Sequence, residues 1–238
     1  MTRTACERLA AGYVVDMTKV CVIAHGAPAL ETTMAEPVFR TGQFTVLTWG
    51  LLGPGKGIEW GIEAMAMLRD LAPMPRYLVA GQTHPKVLLH EGDAYRDRLR
   101  EQVREADLGS CVTFDGRYLS TSSLASLVRS ADVVLLPYDS TEQVTSGVLI
   151  EAMAAGKPVV ATQFPHAAEV LAGGAGLLVP HGDAAAIAAA LRSVITRGDV
   201  LTKITAAAAA TAPRLLWPVI ADQYRELTGR LITTSVAA

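Results

Sequence analysis

With 238 residues, 50% of them hydrophobic and 18% charged, the chain carries enough apolar surface for a full core, which excludes a disordered protein. Its 21 basic and 23 acidic residues leave a formal net charge of -2, so nothing in the balance draws it to nucleic acid or to an anionic membrane surface. The three cysteines Cys6, Cys21 and Cys111 form no C-x-x-C pair and no long uncharged apolar run occurs, which argues against a disulfide framework, a zinc site, a signal-peptide core and a transmembrane segment, and fits a cytoplasmic protein.

The first forty residues read as a helical piece from Cys6 to Ala11, a strand from Val20 to Ala24 and a loose stretch from Pro28 to Gly42. That is too little for an independent core. From Phe44 onward, short apolar runs alternate with longer stretches of helical period. The runs predict strands at Phe44 to Trp49, Arg76 to Ala80, Cys111 to Phe114, Val133 to Leu136, Val159 to Ala161 and Gly176 to Val179. Between them, Ile58, Ile62 and Met65 share a helical face, as do Leu99, Val103 and Ala106, then Leu124, Leu127 and Val128, then Ile187, Leu191 and Ile195. Asp183 is placed to cap the last of these helices and Gly198 to end it. Pro213 and Pro218 bracket a break before a final helix over Val219 to Leu231. Strands alternating with helices predict an α/β fold with a doubly wound, Rossmann-like parallel sheet.

The stretch Trp49-Gly50-Leu51-Leu52-Gly53-Pro54-Gly55-Lys56-Gly57 follows the first of those strands and precedes a helix. Glycines such as Gly53 and Gly55 let the backbone turn tightly and approach a ligand, the helix N-terminus offers free N–H groups, and Lys56 adds a positive charge. This describes a phosphate or diphosphate site at the carboxyl end of a parallel strand. A P-loop is excluded because Gly57 stands where the magnesium-binding Ser/Thr is required, and the glycines miss the G-x-G-x-x-G spacing of dinucleotide enzymes. The bland alternative is a glycine turn beside a solvated lysine.

The segment Gln143-Val144-Thr145-Ser146-Gly147-Val148, continuing to Glu151 and Gly156-Lys157-Pro158, lies between the fourth and fifth predicted strands. Ser146 reads as a helix cap, so the N–H groups of Gly147 and Val148 would face a second anionic group. Glu151, one turn further, has the acceptor oxygens to hold a polyol such as ribose; its alternative is a solvated helix carboxylate.

In this ordered set the sequence resembles the C-terminal half of family-four glycosyltransferases of GT-B architecture, also described as group 1, from about Val20 to Leu227. The resemblance runs through His25-Gly26, Lys56-Gly57, Ala131-Asp132 to Pro137, Glu151-Ala152, Gly156-Lys157-Pro158 to Thr162, Glu169, and Gly176 to Pro180 followed by Asp183. It implies that Lys56 and the glycine turn hold a donor diphosphate and that the stretch Asp115 to Tyr118, with Arg117, lies close to the nucleobase, a surface loop being the alternative. His166, after Pro165 at the mouth of the fifth strand, reads as a donor contact or as a structural histidine, and Glu169 as part of the donor rim or as a plain helix carboxylate. Two departures stand out. The companion arginine of the glycine turn is replaced by Leu51 or Gly53, and the first of two carboxylates falls on Gln143, eight residues before Glu151.

On this basis residues 1–43 are expected to be the remnant of an N-terminal domain plus linker, 44–212 the nucleotide-sugar-binding domain, and 213–238 a C-terminal helix and tail. The expected activity is retaining sugar transfer from a nucleoside-diphosphate sugar, with Lys56 and Gln143 as catalytic residues and Gly53, Gly55, Ser146, Gly147, Val148, Glu151, Arg117, Tyr118 and His166 binding substrate. No metal ion and no cofactor is called for, and a partner chain or second copy is expected to cover the missing half. A non-catalytic nucleotide-sugar-binding module and a nucleotide-sugar epimerase stand as alternatives.

Overall fold

The computed structural model describes residues 2–29 and 42–236. Six strands, β1 (Thr45–Trp49), β2 (Arg76–Ala80), β3 (Val112–Asp115), β4 (Val133–Leu136), β5 (Val159–Thr162) and β6 (Gly176–Val179), form one sheet in the order β3-β2-β1-β4-β5-β6. Every pairing is parallel, from Thr45 beside Arg76 in β1 and β2 to Val160 beside Leu177 in β5 and β6. Parallel neighbours need crossover connections, and the helical segments supply them.

Strand periodicity divides the core in two. Val46, Tyr77, Val79, Val133, Leu135 and Val160 face one side, where they meet Ile58, Ile62 and Met65 of α2 (Ile58–Ala66), Leu99 and Val103 of α4 (Ala94–Glu105), and Ile187 and Leu191 of α8 (Ala184–Thr196). Their neighbours Leu47, Trp49, Leu78, Val134, Leu136 and Ala161 face the other, against Leu127 of α5 (Thr121–Ser130), Leu149 and Ile150 of α6 (Gly147–Ala154) and Leu171 of α7 (Pro165–Leu171). Both faces are covered, so apolar residues from both sides of the strands are buried. A fully buried residue such as Ile62 or Leu149 contributes about 1.5 to 3 kcal/mol relative to exposure.

At the front, α1 (Arg3–Gly12) docks on α7. Glu169 accepts hydrogen bonds from the Arg3 and Thr4 backbone N–H groups at 2.9 and 2.7 Å, so this carboxylate is occupied by the first turn of α1. The strand expected at Val20 to Ala24 is not formed; the chain turns through a 3-10 helix at Met17–Lys19 and continues in irregular conformation. Its apolar residues are used differently: Ile23 and Ala27 are buried, Ala27 bridges Leu216, and Val22 faces outward. Most of the stretch from Pro28 to Gly42 lies outside the described residues.

Asp183 caps α8 through a 2.8 Å bond from the Ala186 N–H. Gly198 opens α9 (Gly198–Thr211) instead of closing α8, because extended Arg197 alone breaks the helix and serves both ends. The final helix, α10 (Trp217–Val236), starts before the expected Val219, with Pro218 in its first turn, where a missing N–H is tolerated. Among the described residues no helix is long and apolar enough to cross a membrane.

Candidate nucleotide-sugar site

Connections from β1 run outward to β2 and those from β4 outward to β5, so a crevice opens between the carboxyl ends of these two central strands. The glycine turn leaves β1 there and the Gln143 loop leaves β4. The two are joined: the Asp139 N–H donates to the Gly55 carbonyl at 3.0 Å, and the Val148 side chain abuts the position of Gly50.

Gly57 fixes how the turn enters α2. It adopts φ 61° and ψ 22°, and a β-carbon there would stand 1.8 Å from the Pro137 carbonyl oxygen. Only glycine permits both that conformation and that approach. Beside it the Lys56 N–H closes on the Gly53 carbonyl at 3.2 Å, and Lys56 Nζ lies 4.3 Å from the centre of the Tyr138 ring. Tyr138 is buried and stacks on Phe164 at 5.2 Å, and burial pushes its hydroxyl pKa up to about 12, so the ring is a neutral platform. Burial lowers the Lys56 pKa, and among the described residues no carboxylate offsets that. Its charge is available to a ligand.

At α6, Ser146 Oγ accepts the Leu149 N–H at 3.2 Å, and the Ser146 N–H donates to His166 Nδ1 at 2.7 Å. The first two helical N–H groups, of Gly147 and Val148, are left with no partner among the described residues, which suits an anion at the helix start. Glu151, half-buried one turn on, accepts from Trp49 Nε1 at 3.3 Å and so faces the end of β1. Gln143 is partly buried; its Nε2 donates to the Thr145 carbonyl at 3.0 Å, and its own carbonyl accepts the His166 N–H at 3.2 Å.

To one side, Gly50, Leu51, Gly81, Arg117, Tyr118 and Leu124 border a largely apolar cavity of about 160 Å³. Arg117 grips Asp115 through two hydrogen bonds of 2.9 and 2.7 Å, holding that carboxyl below the usual carboxylate range, while Tyr118 stands exposed.

His166 has a different place from the donor-contacting one expected of it. It is 3% exposed, and its Nδ1 lone pair holds the helix start from inside. Burial drives its pKa down to about 4. Between pH 6.5 and 4 the unfolded chain therefore binds a proton that the folded chain refuses, so the stability contributed by neutral His166 is present above pH 6.5 and lost as pH falls toward 4. The expected loss between pH 7.5 and 4.5 is roughly 2 to 3 kcal/mol. The His166→Asn variant, which keeps an acceptor without the titration, should lose less by that amount in urea unfolding; equal losses would show that His166 is not the acid-sensitive group.

Gly53, Gly55 and Lys56, in the turn after β1, and Ser146, Gly147, Val148 and Glu151, at the start of α6, thus lie at the same end of the sheet beyond the adjacent strands β1 and β4, with Arg117 and Tyr118 at the neighbouring cavity. Trp49, the last residue of β1, and Tyr138, two residues beyond the end of β4, were not foreseen as supports here. Among the described residues no cluster of His, Cys, Asp or Glu has metal-binding geometry.

A family model for glycosyl transferases group 1 matches residues 43–197. Phosphatidyl-myo-inositol mannosyltransferase of Mycobacterium leprae (strain TN) is 41% identical over 183 residues, covering 76% of this chain and 45% of that protein. Sucrose-phosphate synthase from Thermosynechococcus elongatus superposes with a TM-score of 0.75 at 28% identity, over 89% of this chain and 52% of that one. Anabaena HepE in complex with UDP-glucose does so at 0.69 and 25%, over 79% and 49%. The chain spans about half the length of the curated relatives it matches. A family model covering the whole sheet from β1 through α8, on a topology shared with these enzymes, makes the chain a member of the glycosyl transferases group 1 with the Rossmann-like sheet of a GT-B half.

Proposed function

We propose that the crevice binds a nucleoside-diphosphate sugar and that the chain is the donor-binding half of a retaining glycosyltransferase. The observation that carries this reading is that Lys56, with no carboxylate partner among the described residues, and the open N–H groups of Gly147 and Val148 lie at the carboxyl ends of the adjacent strands β1 and β4. Both favour negative charge, and the charge they favour most is the one that develops on the leaving diphosphate when its bond to the anomeric carbon breaks. The base would lie in the cavity bordered by Arg117 and Tyr118, the ribose would be held by Glu151, and Gln143 would orient sugar hydroxyls as a neutral donor and acceptor. His166 would act through Ser146, by holding the helix start in place. HepE, solved with UDP-glucose, and the mannosyltransferase relative support a hexosyl donor, and the family resemblance supports retention.

A thermal-shift panel of UDP, GDP, ADP and their sugar conjugates tests the reading, since a ligand of the folded state raises its apparent stability. At least one nucleoside diphosphate should raise the melting temperature; no response across the panel would overturn the assignment. A second reading, a module that binds donor without transfer, is favoured by the neutral Gln143. Assayed alone, the 238-residue chain should bind donor yet consume little until a partner polypeptide or second copy supplies the acceptor side and excludes water. Robust transfer by the unassisted monomer would contradict that.

A further inference from the structure

His25 lies outside the glycine turn and outside α6, yet it reaches the same crevice. Its ring packs against Trp217 at 5.4 Å between centroids, and Gly26 next to it lies directly under that indole. The chain is pinned on either side of the ring's path: the Ala27 N–H donates to the Leu215 carbonyl at 2.8 Å, and the Trp217 N–H to the Ala27 carbonyl at 2.9 Å. The Cε1 and Nε2 edge is thereby directed at the start of α6, within 3.8 and 3.9 Å of where a Gly147 β-carbon would stand. At the inner edge, Nδ1 is buried without a hydrogen-bond partner. A buried N–H without an acceptor is a rare and costly arrangement, so the ring's proton belongs on Nε2, at the mouth of the helix.

We propose that His25 is a further anion-binding residue of this site, its Nε2–H donating to a terminal-phosphate oxygen of a nucleoside diphosphate seated on the Gly147 and Val148 N–H groups. The inference rests on the nucleotide reading given above. A β-carbon at position 147 would rest in ordinary van der Waals contact with the imidazole edge, which places the ring directly beside the Gly147 backbone. A donor at that point supplements Lys56 from the opposite side of the helix start and makes up for the arginine missing from the glycine turn.

The terminal phosphate distinguishes this role from a structural one. Calorimetry on the full chain would compare UDP and GDP with UMP and GMP for wild type and for His25→Phe, which keeps an aromatic ring against Trp217 but removes the donor. A circular-dichroism melt would check folding, and His25→Gln, which restores an N–H donor, would serve as the second variant. The expected result is about tenfold weaker binding of the preferred diphosphate by His25→Phe, unchanged binding of the monophosphate, and partial recovery in His25→Gln. Equal diphosphate affinity in wild type and His25→Phe would overturn the proposal, as would an equal loss for mono- and diphosphate. Failure of the wild type to bind any of the four would overturn it together with the nucleotide reading, and so separates the two failures.

Discussion

Replacing Lys56 with alanine should weaken nucleoside-diphosphate binding by about 1.5 to 3 kcal/mol, roughly 10- to 150-fold in Kd, the range for hydrogen bonds to charged groups. Three features put so much on one side chain. Lys56 has no carboxylate partner among the described residues, so its charge is not already neutralised. It is held at 4.3 Å over Tyr138, a buried and neutral ring, so part of its rotamer entropy is already lost before the ligand arrives. The glycine turn from Gly50 to Gly57 contains no second cation. Titrating wild type and Lys56→Ala with UDP or GDP at low salt measures the effect, and equal affinities would remove Lys56 from the site.

The larger structural effect is expected at Gly57. An alanine there must adopt φ 61°, a left-handed conformation costing about 1 to 2 kcal/mol, and must also move the Pro137 carbonyl or the whole turn to relieve a 1.8 Å approach. Overpacking of that kind adds about 1 to 3 kcal/mol, so Gly57→Ala should destabilise by roughly 2 to 5 kcal/mol and lower the melting temperature by about 5 to 15 °C. Pro137 directly precedes Tyr138, so the same displacement would also tilt the platform under Lys56. Thermal unfolding within 2 °C of wild type would mean that the turn is not held against β4 as described. Gly57→Ala and Lys56→Ala should separate cleanly: the first loses stability and binding together, the second binding alone.

The sheet was readable from the sequence because its signal is local. Six apolar runs bounded by turns match the six strands to within a residue at each end, and the stripe of Ile58, Ile62 and Met65 is buried as its spacing requires. Two local signals misled. Val20 to Ala24 has the composition of a strand, but it joins no strand of the sheet, and the bridge in this part of the chain falls later, between Ala27 and Leu216. Gly198 resembles a helix-ending glycine, yet extended Arg197 already makes the break and the glycine begins the next helix.

The crevice was partly legible for a related reason. Gly53, Gly55, Lys56 and Gly57 are neighbours in one segment, and Ser146, Gly147, Val148 and Glu151 in a second, so each half of the crevice leaves its own local signal. What supports them comes from far away. Which way His166 points depends on the Ser146 N–H twenty residues earlier, and Glu169 meets α1 from more than 160 residues away. A single histidine or glutamate carries no local mark of such a contact, so both read equally well as donor-facing. Trp49 and Tyr138 look like ordinary apolar residues at strand ends until β1 and β4 lie side by side.

Nucleoside diphosphate is proposed to bind at the carboxyl ends of β1 and β4. Mapping amide shifts on the ¹⁵N-labelled chain during titration with UDP and GDP tests it most directly, because the proposed contacts are themselves backbone N–H groups. The largest changes should fall on Lys56, Gly147 and Val148, with smaller ones at Arg117 and Tyr118. The opposite end of the sheet also has a cavity, about 560 Å³, bordered by Phe44, Thr45, Asp132 and Thr196. Changes concentrated there, with Gly147 and Val148 unmoved, would contradict the account.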